Sequence, residues 1–163
     1  MLMLSSVLVD ESSALHIRNA AGLALKNALS ARVWTLLLFP SFLLSQPFFL
    51  CLKFLQENAR QQEYSNRWLS LNNDAKGKIK QDALVTLNSS SSKAGNVASQ
   101  VVAAIAAVEL PQGQWADLIE VLLGFVNNEQ STPNLKITTL QTIGFICETI
   151  VSSFCDPFHL PTD

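Results

Sequence analysis

Residues 94–109 read Ala94-Gly95-Asn96-Val97-Ala98-Ser99-Gln100-Val101-Val102-Ala103-Ala104-Ile105-Ala106-Ala107-Val108-Glu109, and Pro111 follows. Alanine loses no rotamer freedom in a helix, so this run favours one. Pro111 stops it, because the pyrrolidine ring supplies no N–H and clashes with the preceding turn. A helix lined with Ala98, Ala103, Ala104, Ala106 and Ala107 lets its neighbours approach closely.

Working toward the C-terminus, Trp115, Leu118, Ile119, Leu122 and Val126 mark one face of a helix over Gln114–Asn127. Asn127–Asn134, with Pro133, is a polar turn, and Leu135–Val151 carries the last helix. Toward the N-terminus, Asn88–Ser92 is a serine-rich loop. Before it, Asp74–Leu87 carries Ile79, Ala83, Leu84 and Leu87 at helical spacing, and Asn58–Leu71 also reads as a helix. Ser12 or Ser13 is placed to cap a helix over Ala14–Ser30. On a helical wheel Ile17, Ala20, Ala21, Ala24, Leu25 and Ala28 share its apolar face, with Arg18, Gly22 and Lys26 opposite. Strand alternation is convincing nowhere. The helices after Asp74 come in pairs joined by short polar loops, one member longer-sided and the other rich in small residues. Ala21-Gly22-Leu23, Ala103-Ala104-Ile105 and Ile143-Gly144-Phe145 echo one another. The last two marks lie 40 residues apart, the period of HEAT or armadillo units. The expected fold is all-α: an α-α superhelix of HEAT/armadillo-type helical repeats.

The chain has 163 residues, a net charge of −2 and a pI near 5.6, which argues against nucleic-acid binding through a basic face. Cys51, Cys147 and Cys155 have no paired short spacing, and His16 and His159 lie far from them. No metal-ligand pattern, nucleophile–base pair or phosphate loop emerges, so neither a cofactor nor catalysis is expected. Met1–Val9 is apolar but lacks the basic n-region of a secretory signal.

Several runs resemble the amino-terminal HEAT repeats of the importin-β (karyopherin-β) family. They are Ile17-Arg18-Asn19-Ala20-Ala21-Gly22-Leu23-Ala24-Leu25-Lys26-Asn27, Tyr64-Ser65-Asn66-Arg67-Trp68-Leu69 and the 98–111 run, then Gln114-Trp115 and Ile143-Gly144-Phe145-Ile146-Cys147. The resemblance implies a fragment of a nuclear transport receptor that binds Ran-GTP and takes part in protein import. It also implies contacts with import cargo or an adaptor and with nucleoporins, mostly through repeats beyond these, and a place in cytoplasm, nucleus and nuclear pore. The inner helices of the repeats, Ala14–Ser30, Ala94–Glu109 and Leu135–Ile150 by position, would face Ran. Arg18, Lys26, Asn96, Gln100, Gln141 and Glu148 are the exposed candidates on them, while Trp68 and Trp115 are expected as core anchors.

The resemblance divides the chain into a partial first repeat over 1–32, a second over 57–110 and a third over 111–150. The helix that opens the family's first repeat is expected to be largely missing upstream of Leu4. Residues 33–56 are an apolar insertion and 151–163 an unrelated tail. Val33–Leu52 is uncharged and as long as a membrane span, which supports an alternative reading as a small membrane-anchored helical protein, although Pro40 and Pro47 make it a poor span. A HEAT scaffold of some other complex is a further alternative. The Phe, Leu, Ser and Pro of the insertion suit pyrimidine-rich codons, and Val151-Ser152 suits a splice-donor sequence, so both segments read as translated introns. Transcript reads are expected to skip the codons of 33–56; reads running through them unbroken would refute this.

Overall fold

The computed structural model describes residues 1–29 and 61–154, with side chains described to residue 150. The insertion at 33–56 and most of the tail therefore lie outside the described residues. Within them the chain forms α1 (Leu2–Val9), α2 (Leu15–Leu29), α3 (61–69), α4 (Asn73–Thr86), α5 (Ser92–Glu109), α6 (Leu118–Asn127) and α7 (Pro133–Phe154), with a 3₁₀ turn at Leu110–Gln112. No strand occurs among the described residues.

The pairs are α1 with α2, α4 with α5 and α6 with α7. Across pairs, α2 packs on α5 and α5 on α7, while α1 packs on α4. The result is two layers, with α1, α4 and α6 outside and α2, α5 and α7 inside. This is the expected stack of antiparallel helix pairs, each burying a face that it could not bury alone. α5 stands in the middle of it. Val101, Val102, Ile105 and Ala106 on α5 are fully buried, joined by Leu25 and Leu29 of α2, Ile79 of α4 and Leu87 just past its end, and Leu118 and Leu122 of α6.

Trp68 is wholly enclosed, as its expected role as an anchor requires. Its indole N–H donates to Glu109 Oε1 at 3.0 Å, and Lys80 Nζ meets the other carboxylate oxygen at 2.9 Å. The buried glutamate is thus both hydrogen-bonded and paired, the arrangement that makes a buried charge tolerable. Trp115 is only half-buried. It has φ +56°, close after Gly113 at φ +68°, so the chain turns sharply there and α6 starts at Leu118 instead of Gln114. Lys80 Nζ lies 4.8 Å from the centre of the Trp115 ring.

Four further expectations are corrected. Leu2–Val9 is a helix packed on α2 and α4, so the partner that the first repeat was expected to lack is present in these eight residues. Ser12 and Ser13 do not cap α2, because both hydroxyls donate to the Asp10 carboxylate, at 2.6 and 2.7 Å. The buried stripe of α2 is Arg18, Ala21, Gly22, Leu25 and Leu29, rotated from the expected face, and Ile17 is 48% exposed. The three small-residue marks are not equivalent either. Ala14, Ser91 and Thr132 accept the N–H of Arg18, Gly95 and Lys136 in the first turns of α2, α5 and α7. Aligned on those bonds, Gly22 matches Ser99 and Leu140, not Ala104 and Gly144.

Gly22 is nevertheless where α2 meets α5 closely: a Cβ there would stand 2.3 Å from Val97 Cγ1 and 3.0 Å from Leu8 Cδ1. The close approach of α5 to α7 comes one turn earlier in its helix, at Gly95, whose Cβ would stand 2.7 Å from Thr138 Cγ2. Gly144 has open space around it among the described residues, and Ala104 is buried. Gly22→Ala is expected to lower stability by about 1–3 kcal/mol, as overpacking does. Val97→Ala should recover part of that loss in the double variant, read from urea unfolding midpoints.

Candidate functional site

The inner layer offers a groove of about 400 Å³ between α2 and α5, lined by Asn19, Ala20, Leu23, Lys93, Asn96, Val97 and Gln100. Its residues follow from helical spacing. Asn19 and Leu23 are one turn apart on α2, and Lys93, Asn96, Val97 and Gln100 lie along one side of α5. Alignment on the first-turn bonds makes Asn19 equivalent to Asn96 and Leu23 equivalent to Gln100, with Gln141 next in line on α7. Two consecutive repeats thus bring matching positions to the same surface. Gln100 Nε2 donates to Asn96 Oδ1 at 2.9 Å, which fixes both amides along the wall. Asn19 Oδ1 is buried and has no hydrogen-bond donor. The lining includes one cation, Lys93, and no carboxylate.

Two of the six expected residues, Asn96 and Gln100, lie in this groove. Lys26 is half-buried one further turn along the Asn19–Leu23 stripe. Gln141 and Glu148 are exposed on α7 but do not line the groove. Arg18 is a correction. It is 3% exposed and points inward, its Nε donating to Leu8 O at 3.0 Å and its Nη2 to Ser89 Oγ at 3.0 Å and Glu11 Oε1 at 3.3 Å. Arginine buries readily when its fork of donors is met, and here a carbonyl, a hydroxyl and a carboxylate meet it. Arg18 therefore joins α1, α2 and the loop before α5 and is unavailable to a partner protein. Sequence reasoning passed over Asn19, Leu23, Lys93 and Val97. Their i, i+4 spacing was visible, but which side of α2 would stay open was not.

A second, larger groove of about 620 Å³ opens between the outer helices α4 and α6, lined in part by Lys80, Leu84, Val85, Trp115 and Phe125. None of the expected site residues lies in it. No group of His, Cys, Asp or Glu side chains with metal-binding geometry forms among the described residues. The stretch Ser92–Gln112 is long and apolar enough to cross a membrane, but most of it is buried against other helices, as the centre of a packed core would be. The membrane reading of Val33–Leu52 falls outside the described residues.

No family model matches the chain. Individual relatives do. Importin subunit beta-1 of Schizosaccharomyces pombe is 41% identical over 150 residues, spanning 92% of this chain and 14% of that protein. Importin subunit beta-1 of Arabidopsis thaliana is 32% identical over 160 residues, 98% of this chain and 15% of that protein. The chain belongs to the importin-β family. Solved structures agree in shape. Importin-β crystallised in ammonium sulfate superposes with a TM-score of 0.72 at 40% identity, covering 91% of this chain and 14% of that one. Kap95p, whose binding induces the switch loops of RanGDP to adopt the GTP-bound conformation, gives 0.73 at 29% identity over 91% of this chain and 14% of its own. Kap95 in complex with Nup1 gives 0.71 at 28%, over 94% of this chain and 16% of its own. The chain thus spans about a seventh of the length of the importin-β relatives that it matches.

The Arg18 junction sets a pH dependence. Hydrogen bonds from Ser89 and Ser90, helped by the charge of Arg18, hold the Glu11 carboxyl down at about 2, against 4.5 unperturbed. A depressed carboxyl contributes stability that is complete above its unfolded pKa and lost as pH falls toward the folded value. The unfolding midpoint is expected to drop between pH 4.5 and about 2, and Glu11→Gln should flatten that part of the profile.

Proposed function

We propose that this chain is a segment of a nuclear transport receptor that binds Ran in its GTP form on the inner layer of α2, α5 and α7, and so takes part in protein import. The observation that carries this reading is the groove between α2 and α5. It lies on the inner layer of the stack, where repeat-equivalent polar residues stand side by side, and the chain's shape matches that of Kap95p, which acts on Ran's switch loops. The work is recognition, not catalysis. A wall of amides and aliphatic side chains can grip a protein surface but supplies no nucleophile, base or metal. Importin cargo or an adaptor and nucleoporins complete the partner set, Nup1 being bound by a structural neighbour. The reading implies a receptor that works in the cytoplasm, the nucleus and the nuclear pore. Nucleic acid is outside the reading, because the net charge of −2 gives no basic footprint.

The test is capture of Ran loaded with GTP or GDP by the full chain. Stronger retention of the GTP form is expected, and weak, equal retention of both would overturn the assignment.

A further inference from the structure

We infer that the groove between α2 and α5 takes a short, extended, acidic segment of the partner protein. This deepens the reading above and rests on it for the partner's identity, though not for the chemistry of the groove.

Three observations point the same way. The first is charge. Lys93 is the one charged residue among the groove's lining, and the nearest charge along the α2 stripe is Lys26, also a cation. On a chain of net charge −2, this strip presents two cations and no lining carboxylate. The second is an unmet hydrogen bond. Asn19 Oδ1 is one of two buried side-chain polar atoms without a partner among the described residues, and Asn19 lines this groove. A buried acceptor without a donor costs free energy, and rotation of the Asn19 amide toward the groove would let an incoming N–H recover it. A carboxylate cannot supply that hydrogen, but the backbone of an extended segment can.

The third is size. Asn19 and Lys26 are two helical turns apart, about 10 Å at the helical rise of 1.5 Å per residue. That length matches about three residues of extended chain at 3.3 Å each. A strand-like segment of that length would reach from Asn19 to the Lys26 ammonium, one turn beyond the lining. One backbone N–H meets Asn19 Oδ1, the Asn96–Gln100 amides lie alongside, and carboxylates sit near Lys26 and Lys93. Leu23 and Val97 supply an apolar floor for one side chain between them.

The probe is a fluorescently labelled Ser-Glu-Glu-Leu-Glu-Ser peptide, with its glutamines-for-glutamates and lysines-for-glutamates counterparts as controls, titrated against the full chain. The acidic peptide is expected to bind at least about tenfold tighter than the neutral one, with affinity falling as salt rises. Lys93→Glu and Asn19→Leu should each weaken it without changing the helical circular dichroism. Equal binding of the acidic and neutral peptides, or no effect of either substitution, would overturn the inference. Competition separates this from the Ran reading. Displacement of the acidic peptide by GTP-loaded Ran supports both. A peptide that binds and resists displacement keeps the groove's chemistry and removes Ran as its occupant.

Discussion

Everything described depends on how closely α5 can be approached. Helices settle at separations set by the side chains between them, and α5 has neighbours on three sides: α2, α4 and α7. Its alanines and Gly95 keep those distances short, and Gly22 does the same from the side of α2. A wider α5 would push the inner helices apart and open the layer that carries the groove. Composition thus acts on function through distance. The small residues touch no partner, yet they decide where Asn19 and Asn96 stand relative to each other.

Close packing leaves the polar groups of the helix ends to be satisfied, and the 88–91 loop does much of this. Ser91 accepts from the Ala94 N–H to cap α5, and Ser89 and Ser90 donate to Glu11 at 2.6 and 2.8 Å. On the other side Thr132 donates to Asn88 at 2.8 Å, and Asn134 donates to the Ser89 carbonyl. One serine-rich turn therefore bonds to the pair before it and the pair after it. Polar contacts at the edge complement apolar contacts in the middle, and neither fixes the stacking alone.

The fold was largely legible in the sequence because its signals are local. The alanine run before Pro111, the spacing of Ile79, Ala83 and Leu87, and the polar turn at Asn127–Asn134 all gave the right elements. What sequence could not supply was the rotation of each helix about its axis. α2 carries alanine and leucine on most sides, so the wheel favoured a stripe containing Ile17, and tertiary packing chose one containing Arg18. The same ambiguity governed the candidate site. Arg18 was read as exposed because charge normally implies solvent, while a carbonyl, a hydroxyl and a carboxylate distant in sequence make it an interior residue. Asn96 and Gln100, chosen by helical face and repeat position, line the groove because most of the rest of α5 is buried. Gly144 illustrates the converse: a small residue marks a close contact only where something lies opposite.

The serine turn also staples the first helix pair to the third. Its links to Glu11 and Arg18 on one side and to Thr132 and Asn134 on the other are short and directional. A rotation of the first helix pair against the third would have to stretch or break these bonds. A ligand wedged between two of the pairs would act on these same bonds.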